Sequence, residues 1–198
     1  EFRHVEFSYV KEQQLITDFK ELYPDISFEL FEYGSIRAAN MVQEGKLDLA
    51  LVNMHFYEID KLNSFTVMND KIVFCVSKSH PLAKCHEVTI EMIKNEPLIM
   101  YNTDSVQNET LDTAFKRAGV NPNVILHASQ LYTIRNFICN NLGGAFLYSS
   151  LQKNLSGTTG IPISPVINQN IGIVWKKGSY TTDSAEKFIT YIINKYSN

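Results

Sequence analysis

The spacing of apolar residues changes repeatedly along the first quarter of the chain. Residues 5–10 alternate in polarity and predict a strand, and the following apolar residues recur at helical spacing up to Tyr23. Pro24 ends that helix because its ring cannot continue the hydrogen-bond ladder. A second strand is predicted over 26–31, and a second helix begins at Ser35. This alternation predicts a parallel sheet with right-handed crossovers.

The stretch 44–52 is the most informative local pattern. Gly45 closes the helix that begins at Ser35, because glycine adopts the left-handed backbone conformation without steric cost. The strand that follows, 47–52, is too apolar to face water on either side. Strands of this kind are typical of parallel sheets covered by helices on both faces. The segment therefore predicts an α/β architecture.

The same order of helix, glycine stop and buried strand returns later in the chain. A helix over 131–142 is predicted to stop at Gly143 and Gly144, and an apolar strand follows over 145–148. The remaining predicted elements are a strand pair at 65–68 and 71–77 broken at 69–70, a short helix over 89–94, a strand over 97–101, a helix over 111–118 ended by Gly119, a strand over 124–126, a strand over 170–176 and a helix over 185–196.

Two stretches of similar plan indicate two lobes. We expect an α/β fold of two Rossmann-like lobes joined by two crossover strands. The first lobe is predicted to comprise 1–75 and 177–198, and the second 76–176. The final helix is expected to return to the first lobe.

Composition and charge narrow the function classes. The 198 residues are 44% hydrophobic with a net charge of −3, which is ordinary for a globular protein and gives no electrostatic reason to bind nucleic acid or an anionic membrane. Nothing in the sequence resembles a signal peptide or a membrane span. The cysteines, Cys75, Cys85 and Cys139, are odd in number and form no CxxC motif, which favours reduced thiols in the cytoplasm over a redox-sensing pair.

No catalytic, cofactor or metal motif accompanies this composition. GxSxG, GxGxxG, GxxxxGK[ST] and HExxH are all missing, and the histidines form no i, i+4 pair. No nucleophile has an evident base. We therefore expect neither an enzyme nor a bound metal or cofactor.

Four segments together resemble the effector-binding (regulatory) domain of LysR-type transcriptional regulators: 19–25, 44–50, 79–83 and 142–147. Their order and spacing cover nearly the whole chain. The resemblance implies the two-lobed fold of type 2 periplasmic binding proteins. It also implies an N-terminal winged helix-turn-helix, absent from this chain, through which alone the protein would contact DNA. In one respect the chain differs: the family usually has Ser or Thr where the first strand meets the first helix, and this chain has Tyr9-Val10-Lys11.

In such a fold the ligand is expected in the cleft at the carboxyl ends of the strands, where helix N-termini favour an anion. Capping of its own helix is an equally good interpretation for Ser35 and for the pair Ser129-Gln130, and a polar turn is an equally good one for 102–105. A lone lysine such as Lys11 is more often solvated. Arg37 and Arg135 are more simply surface residues, and Asn108 and Thr110 are weaker candidates. The predicted effector-binding residues are Lys11, Ser35, Ile36, Thr103, Asp104, Ser105, Ser129 and Gln130.

The sequence thus favours a cytoplasmic ligand-sensing module. A small, anionic organic effector would alter the arrangement of subunits in a DNA-bound oligomer. The resemblance implies a homodimer in which the helix from Ser35 packs against the helix 129–142 of another subunit, and a tetramer of the full-length protein. The alternatives are an extracytoplasmic solute-binding protein of a transporter, and an enzyme on the same fold.

Overall fold

The computed structural model describes residues 2–5, 10–55, 61–101, 105–178 and 182–197, with the backbone alone at 2–5 and 10–14. Helices and strands alternate through most of the chain, and a short 3₁₀ helix, Pro81–Lys84, precedes β5. In chain order the elements are β1 (Phe2–Val5), α1 (Val10–Leu22), β2 (Phe28–Leu30), α2 (Ser35–Gln43), β3 (Leu49–Asn53), β4 (Leu62–Ser77), β5 (Leu98–Met100), α3 (Val106–Arg117), β6 (Val124–His127), α4 (Leu131–Cys139), β7 (Gly144–Tyr148), α5 (Ser149–Gln152), β8 (Thr158–Pro162), β9 (Asn168–Lys176) and α6 (Asp183–Tyr196). None of the helices among these residues is long and apolar enough to cross a membrane.

The chain divides into two compact units. The first comprises Glu1–Asn69 and Asn170–Asn198, and the second comprises Asp70–Gln169. The chain passes from one unit to the other within β4 and again within β9. The lobe boundaries predicted from the sequence, after 75 and after 176, stay a prediction.

The first unit covers both faces of β3 with helices. Leu49 and Ile173 lie in a core formed with α1 and α6, whereas Ala50 and Val174 lie in a second core formed with α2. β1 pairs with β2 in parallel, as the alternation predicted. The apolar strand at 47–52 was expected in a parallel sheet, but β3 pairs with β9 in antiparallel register. Burial on both faces requires covering helices and does not fix the direction of the neighbouring strand.

The second unit is built around β7, which is buried along its whole length. β7 pairs with β5 in parallel and with β4 in antiparallel register, and β5 also pairs with β6 in parallel. On one face, Ile134 and Ile138 of α4 pack with Leu147. On the other, the Phe115 ring of α3 lies 5.8 Å from that of Phe146. As in the first unit, helices cover both faces.

Three local predictions are wrong. The strand pair at 65–77 is one continuous strand, β4, in which the Asp70 carboxylate accepts hydrogen bonds from the Ser150 amide and hydroxyl at 3.2 and 2.5 Å. Because these hydrogen bonds satisfy the Asp70 carboxylate, the polar pair 69–70 can remain within the extended strand. The short helix at 89–94 is a series of turns, with Thr89 Oγ1 accepting the Met92 N–H at 3.3 Å. Val10, predicted as the end of the first strand, is already helical, while 6–9 lie outside the described residues.

The end of α4 also differs from the sequence prediction. Asn141, not a glycine, takes the left-handed conformation, with φ 54°. Its side chain donates to Ser79 Oγ at 3.0 Å. Gly143 is needed for a different reason, because a Cβ there would lie 2.6 Å from the Pro97 carbonyl oxygen. By contrast, Gly45 closes α2 with φ 74°, as predicted.

Candidate functional site

The start of α2 is built around Ser35. Gly34 is the N-cap of the helix, and no side chain caps it. The Ser35 Oγ instead accepts the backbone N–H of Asn53 at 3.0 Å, which joins the start of α2 to the end of β3. Asn53 is buried, and its Oδ1 accepts the N–H of His55 at 2.9 Å. The expectation that Ser35 caps its own helix is therefore wrong: the hydroxyl fixes the turn between strand and helix.

The electrostatics at this end of α2 favour an anion. The first N–H groups of a helix have no partner within it and carry the positive end of the helix dipole. The first turn of α2 contains no acidic residue that would neutralise this end. Ile36 lies in that turn and is half-buried. Arg37 is exposed, as the sequence indicated, and its guanidinium lies 4.3 Å from the centre of the Tyr33 ring.

The second unit has a similar helix start at α4. Its N-cap is Gln130, again without a side-chain cap, and its first turn is also free of acidic residues. Ser129 and Gln130 are both exposed. The Gln130 side chain makes no capping bond, and Ser129 precedes the N-cap, so the interpretation of this pair as helix caps is wrong. Both polar side chains stay candidates for ligand contact.

The start of α3 differs because it is capped. Ser105 Oγ accepts the N–H of Asn108 at 3.1 Å, so this candidate does act as an N-cap. Thr103 and Asp104 lie outside the described residues.

Lys11 falls in the first turn of α1, where only the backbone is described. Arg135 donates to the carbonyl oxygen and the hydroxyl of Ser156 at 3.0 and 2.9 Å, which gives it a structural role.

Sequence reasoning missed Asn53 and gave too little weight to the first turns of α3. Asn53 directly follows the apolar strand 47–52, and a polar residue at the end of a buried strand is a usable signal. In α3, Gln107, Asn108 and Thr110 are all at least 94% buried. Nothing in their spacing indicates this, because burial of polar residues in a helix depends on what covers them.

The described residues also include a buried cysteine thiol and side chains of the types that bind metals. Cys75 is buried, and that burial raises the pKa of its thiol to about 11, so it is protonated and unreactive at neutral pH. Within the described ranges, no group of His, Cys, Asp and Glu side chains is arranged to hold a metal ion. The site is therefore described by helix N-termini, hydroxyls and amides.

Comparison with known proteins identifies the family that this chain matches. Residues 13–197 match the family model of the LysR substrate binding domain. The uncharacterized HTH-type transcriptional regulator YwbI of Bacillus subtilis is 31% identical over 181 residues, covering 90% of this chain and 60% of YwbI. The regulatory domain of CcmR from Synechocystis PCC6803, solved with 2-PG, superposes with a TM-score of 0.89 at 21% identity, covering 100% of this chain and 97% of that one.

A second solved structure has the same fold. The effector binding domain of QuiR, solved with shikimate, gives a TM-score of 0.86 at 15% identity and covers 98% of this chain and 95% of that one. These matches confirm the predicted α/β fold class and the family resemblance. Against YwbI, however, the chain spans only about three fifths of the relative's length.

Proposed function

The chain belongs to the LysR substrate-binding domain family, and we propose that it is the sensing part of a cytoplasmic, DNA-binding transcriptional regulator whose effector is a small organic anion. DNA would be bound by a separate N-terminal domain. The chain's net charge of −3 provides no electrostatic attraction to DNA of its own. A transporter protein and an enzyme on this fold are less well supported, because the matched relatives are transcriptional regulators.

The observation that carries the proposal is the match between the starts of α2 and α4. At neither helix does a side chain hydrogen-bond to the N–H groups of the first turn, and neither has an acidic residue in that turn. A carboxylate is a good partner for N–H groups left free in this way. The proposed contacts are Ser35 and Ile36 on α2, Ser129 and Gln130 before α4, Ser105 with the preceding Thr103 and Asp104, and Lys11 on α1.

Binding would act through a shift between conformations. An effector can move such an equilibrium only by its difference in affinity for the two states. We propose that the state preferred by the effector arranges the subunits of a dimer differently and thereby changes the contacts made with DNA. By linkage, the size of this coupling equals the difference in effector-binding free energy between the two subunit arrangements.

Small carboxylates and amino acids should raise the melting temperature of the purified chain if one of them is the effector. At about 100 times its dissociation constant, a ligand that binds only the folded state stabilises it by about 2.7 kcal/mol. Ser35→Ala and Ser129→Ala should each reduce this ligand-dependent shift. Ser35→Ala should also lower the stability of the free protein, because it removes the hydrogen bond between Ser35 Oγ and the backbone N–H of the buried Asn53, so the two effects must be measured separately.

Differential scanning fluorimetry without ligand measures the stability of the free variant, and the same measurement with ligand gives the ligand-dependent shift. Ser64→Ala is a matched control, because Ser64 is an exposed serine of β4 whose hydroxyl makes no hydrogen bond among the described residues. The proposed placement of the ligand would be wrong if both Ser35→Ala and Ser129→Ala retained the full ligand-dependent shift.

Dimerisation is proposed through α2 of one subunit and α4 of another. Tyr132 on α4 is 75% exposed, and Ile125 and Leu142 of the same unit are 49% and 52% exposed. Tyr132→Glu should therefore weaken dimerisation by about 100-fold, since it replaces a large aromatic contact with a buried, unpaired charge. Sedimentation velocity over a range of concentrations measures this. Val166→Glu, at a 57% exposed valine of the same unit, is the control and should leave the dimer intact.

A further inference from the structure

The first turns of α3 enclose an unusual set of polar side chains. Gln107, Asn108 and Thr110 are 4%, 5% and 6% exposed. Gln107 Nε2 donates to the Phe146 carbonyl oxygen at 2.6 Å, and Thr110 Oγ1 donates to the Val106 carbonyl oxygen at 2.9 Å. The Asn108 side-chain oxygen, Oδ1, has no hydrogen-bond partner among the described residues.

An unpaired carbonyl in a buried position costs folding free energy, whereas its paired neighbours do not. Asn108 is the third residue of α3, and side chains of a helix lean toward its N-terminus, so the Asn108 carboxamide lies at the first turn. Ser105, the N-cap residue of that turn, accepts the Asn108 backbone N–H through its Oγ at 3.1 Å. The free oxygen and the helix N-terminus are therefore at the same end of α3.

We infer that Asn108 is an effector-contacting residue and that its free oxygen accepts a hydrogen bond from a hydroxyl or amino group of the effector. The inference rests on the proposed function and narrows it. A helix N-terminus recognises the anionic group, while a carbonyl oxygen can bind only a donor. The effector class is accordingly an organic acid that carries a hydroxyl or amino group, in preference to a simple carboxylate.

The test uses matched pairs of acids that differ in the donor group: lactate and propionate, aspartate and succinate, shikimate and benzoate. Thermal shift identifies the pairs that stabilise the wild-type chain, and calorimetry gives their affinities. In at least one pair we expect the member with the donor to bind more tightly. Asn108→Leu, which keeps the shape of the side chain, should lower the affinity for the acid with the donor group about five- to tenfold. The affinity for the other acid of the pair should be unchanged.

Two further variants separate a ligand contact from a structural role. Asn108→Asp retains the acceptor but adds a charge, so it should weaken binding of every acid in the panel. Thr110→Val removes a neighbouring buried hydroxyl whose partner lies inside the helix, and should preserve the discrimination within each pair. In the absence of ligand, Asn108→Leu should raise or maintain the melting temperature, because it removes an unpaired buried carbonyl.

The outcomes distinguish the inference from the function on which it rests. If acids stabilise the chain but Asn108→Leu and Asn108→Asp leave every affinity unchanged, the inference fails and the proposed function stands. A fall in the melting temperature of ligand-free Asn108→Leu, with discrimination retained, would assign the oxygen to an internal water and overturn the inference. If no acid of the pairs, nor of a broader set of organic acids, stabilises the wild-type chain, both are overturned.

Discussion

Phe188→Ala should lower the free energy of unfolding by about 3–5 kcal/mol, the range observed when a buried aromatic side chain is removed from a core. Phe188 of α6 is fully buried in the core formed by α1, α6, β3 and β9. Its ring centre lies 4.8 Å from that of Phe19 and 5.1 Å from that of Phe28, both in edge-to-face geometry. The substitution removes these contacts and leaves a cavity that the rigid strands cannot close.

Urea denaturation followed by circular dichroism measures this loss. Thr190→Ala, on the exposed side of the same helix, is the control and should change stability by no more than about 0.5 kcal/mol. Equal stability of Phe188→Ala and wild type would show that α6 does not contribute to the core of the first unit. Since α6 comes from the C-terminal end of the chain, the same result would also argue against the unit formed by 1–69 and 170–198.

Gly172→Ala should destabilise the chain by about 1–3 kcal/mol or more, because the new methyl group has no space. An ideal Cβ at Gly172 would lie 2.5 Å from the Phe65 carbonyl oxygen and 2.7 Å from the Met54 Sδ and Cε. The backbone oxygen belongs to β4 and cannot move without displacing that strand. Gly172 is also paired with Val52, next to Asn53, so we expect the end of β3 and the Ser35 hydrogen bond to be disturbed.

Gly160→Ala provides the matched comparison. A Cβ at Gly160, also within a strand, would lie 2.5, 2.7 and 2.9 Å from Gln152 Oε1, Cδ and Cγ, which all belong to one flexible side chain that can move without displacing the backbone. This variant should therefore lose less than about 1 kcal/mol. Thermal melts of the two variants, with effector binding measured for each, check the prediction. A Gly172→Ala protein as stable as Gly160→Ala would mean that β4 and β9 are not held at the distance observed.

The elements of the fold were largely predictable from the sequence because they depend on local spacing. Helix α2 begins at Ser35 and ends before Gly45 as predicted, and Gly119, with φ 67°, follows α3. Strands β3 and β7 are buried as their composition indicated. Hydrophobic periodicity and glycine conformation act within a few residues, so the sequence alone is sufficient to locate such elements.

The roles of the candidate site residues were less predictable. Ser35, Ser105 and Ser129 have the same local pattern, a hydroxyl near the start of a helix. In the structure, Ser105 caps α3, Ser35 binds the Asn53 backbone, and Ser129 lies one residue before an uncapped N-terminus. A hydroxyl has two lone pairs and one proton, so its partner is decided by the groups that tertiary folding brings within about 3 Å.

The sequence by itself determined the class of fold, the positions of the buried strands β3 and β7 and the ends of α2 and α3, because each follows from the spacing of side chains along one segment. Only the tertiary structure decided that β3 pairs with β9 in antiparallel register and that β4 runs unbroken through Asp70. It also decided that the Asn108 side-chain oxygen is buried without a partner among the residues that the structure describes. Strand direction, hydrogen-bond pairing and burial of a polar atom depend on segments far apart in sequence, and no local spacing encodes which of them will meet.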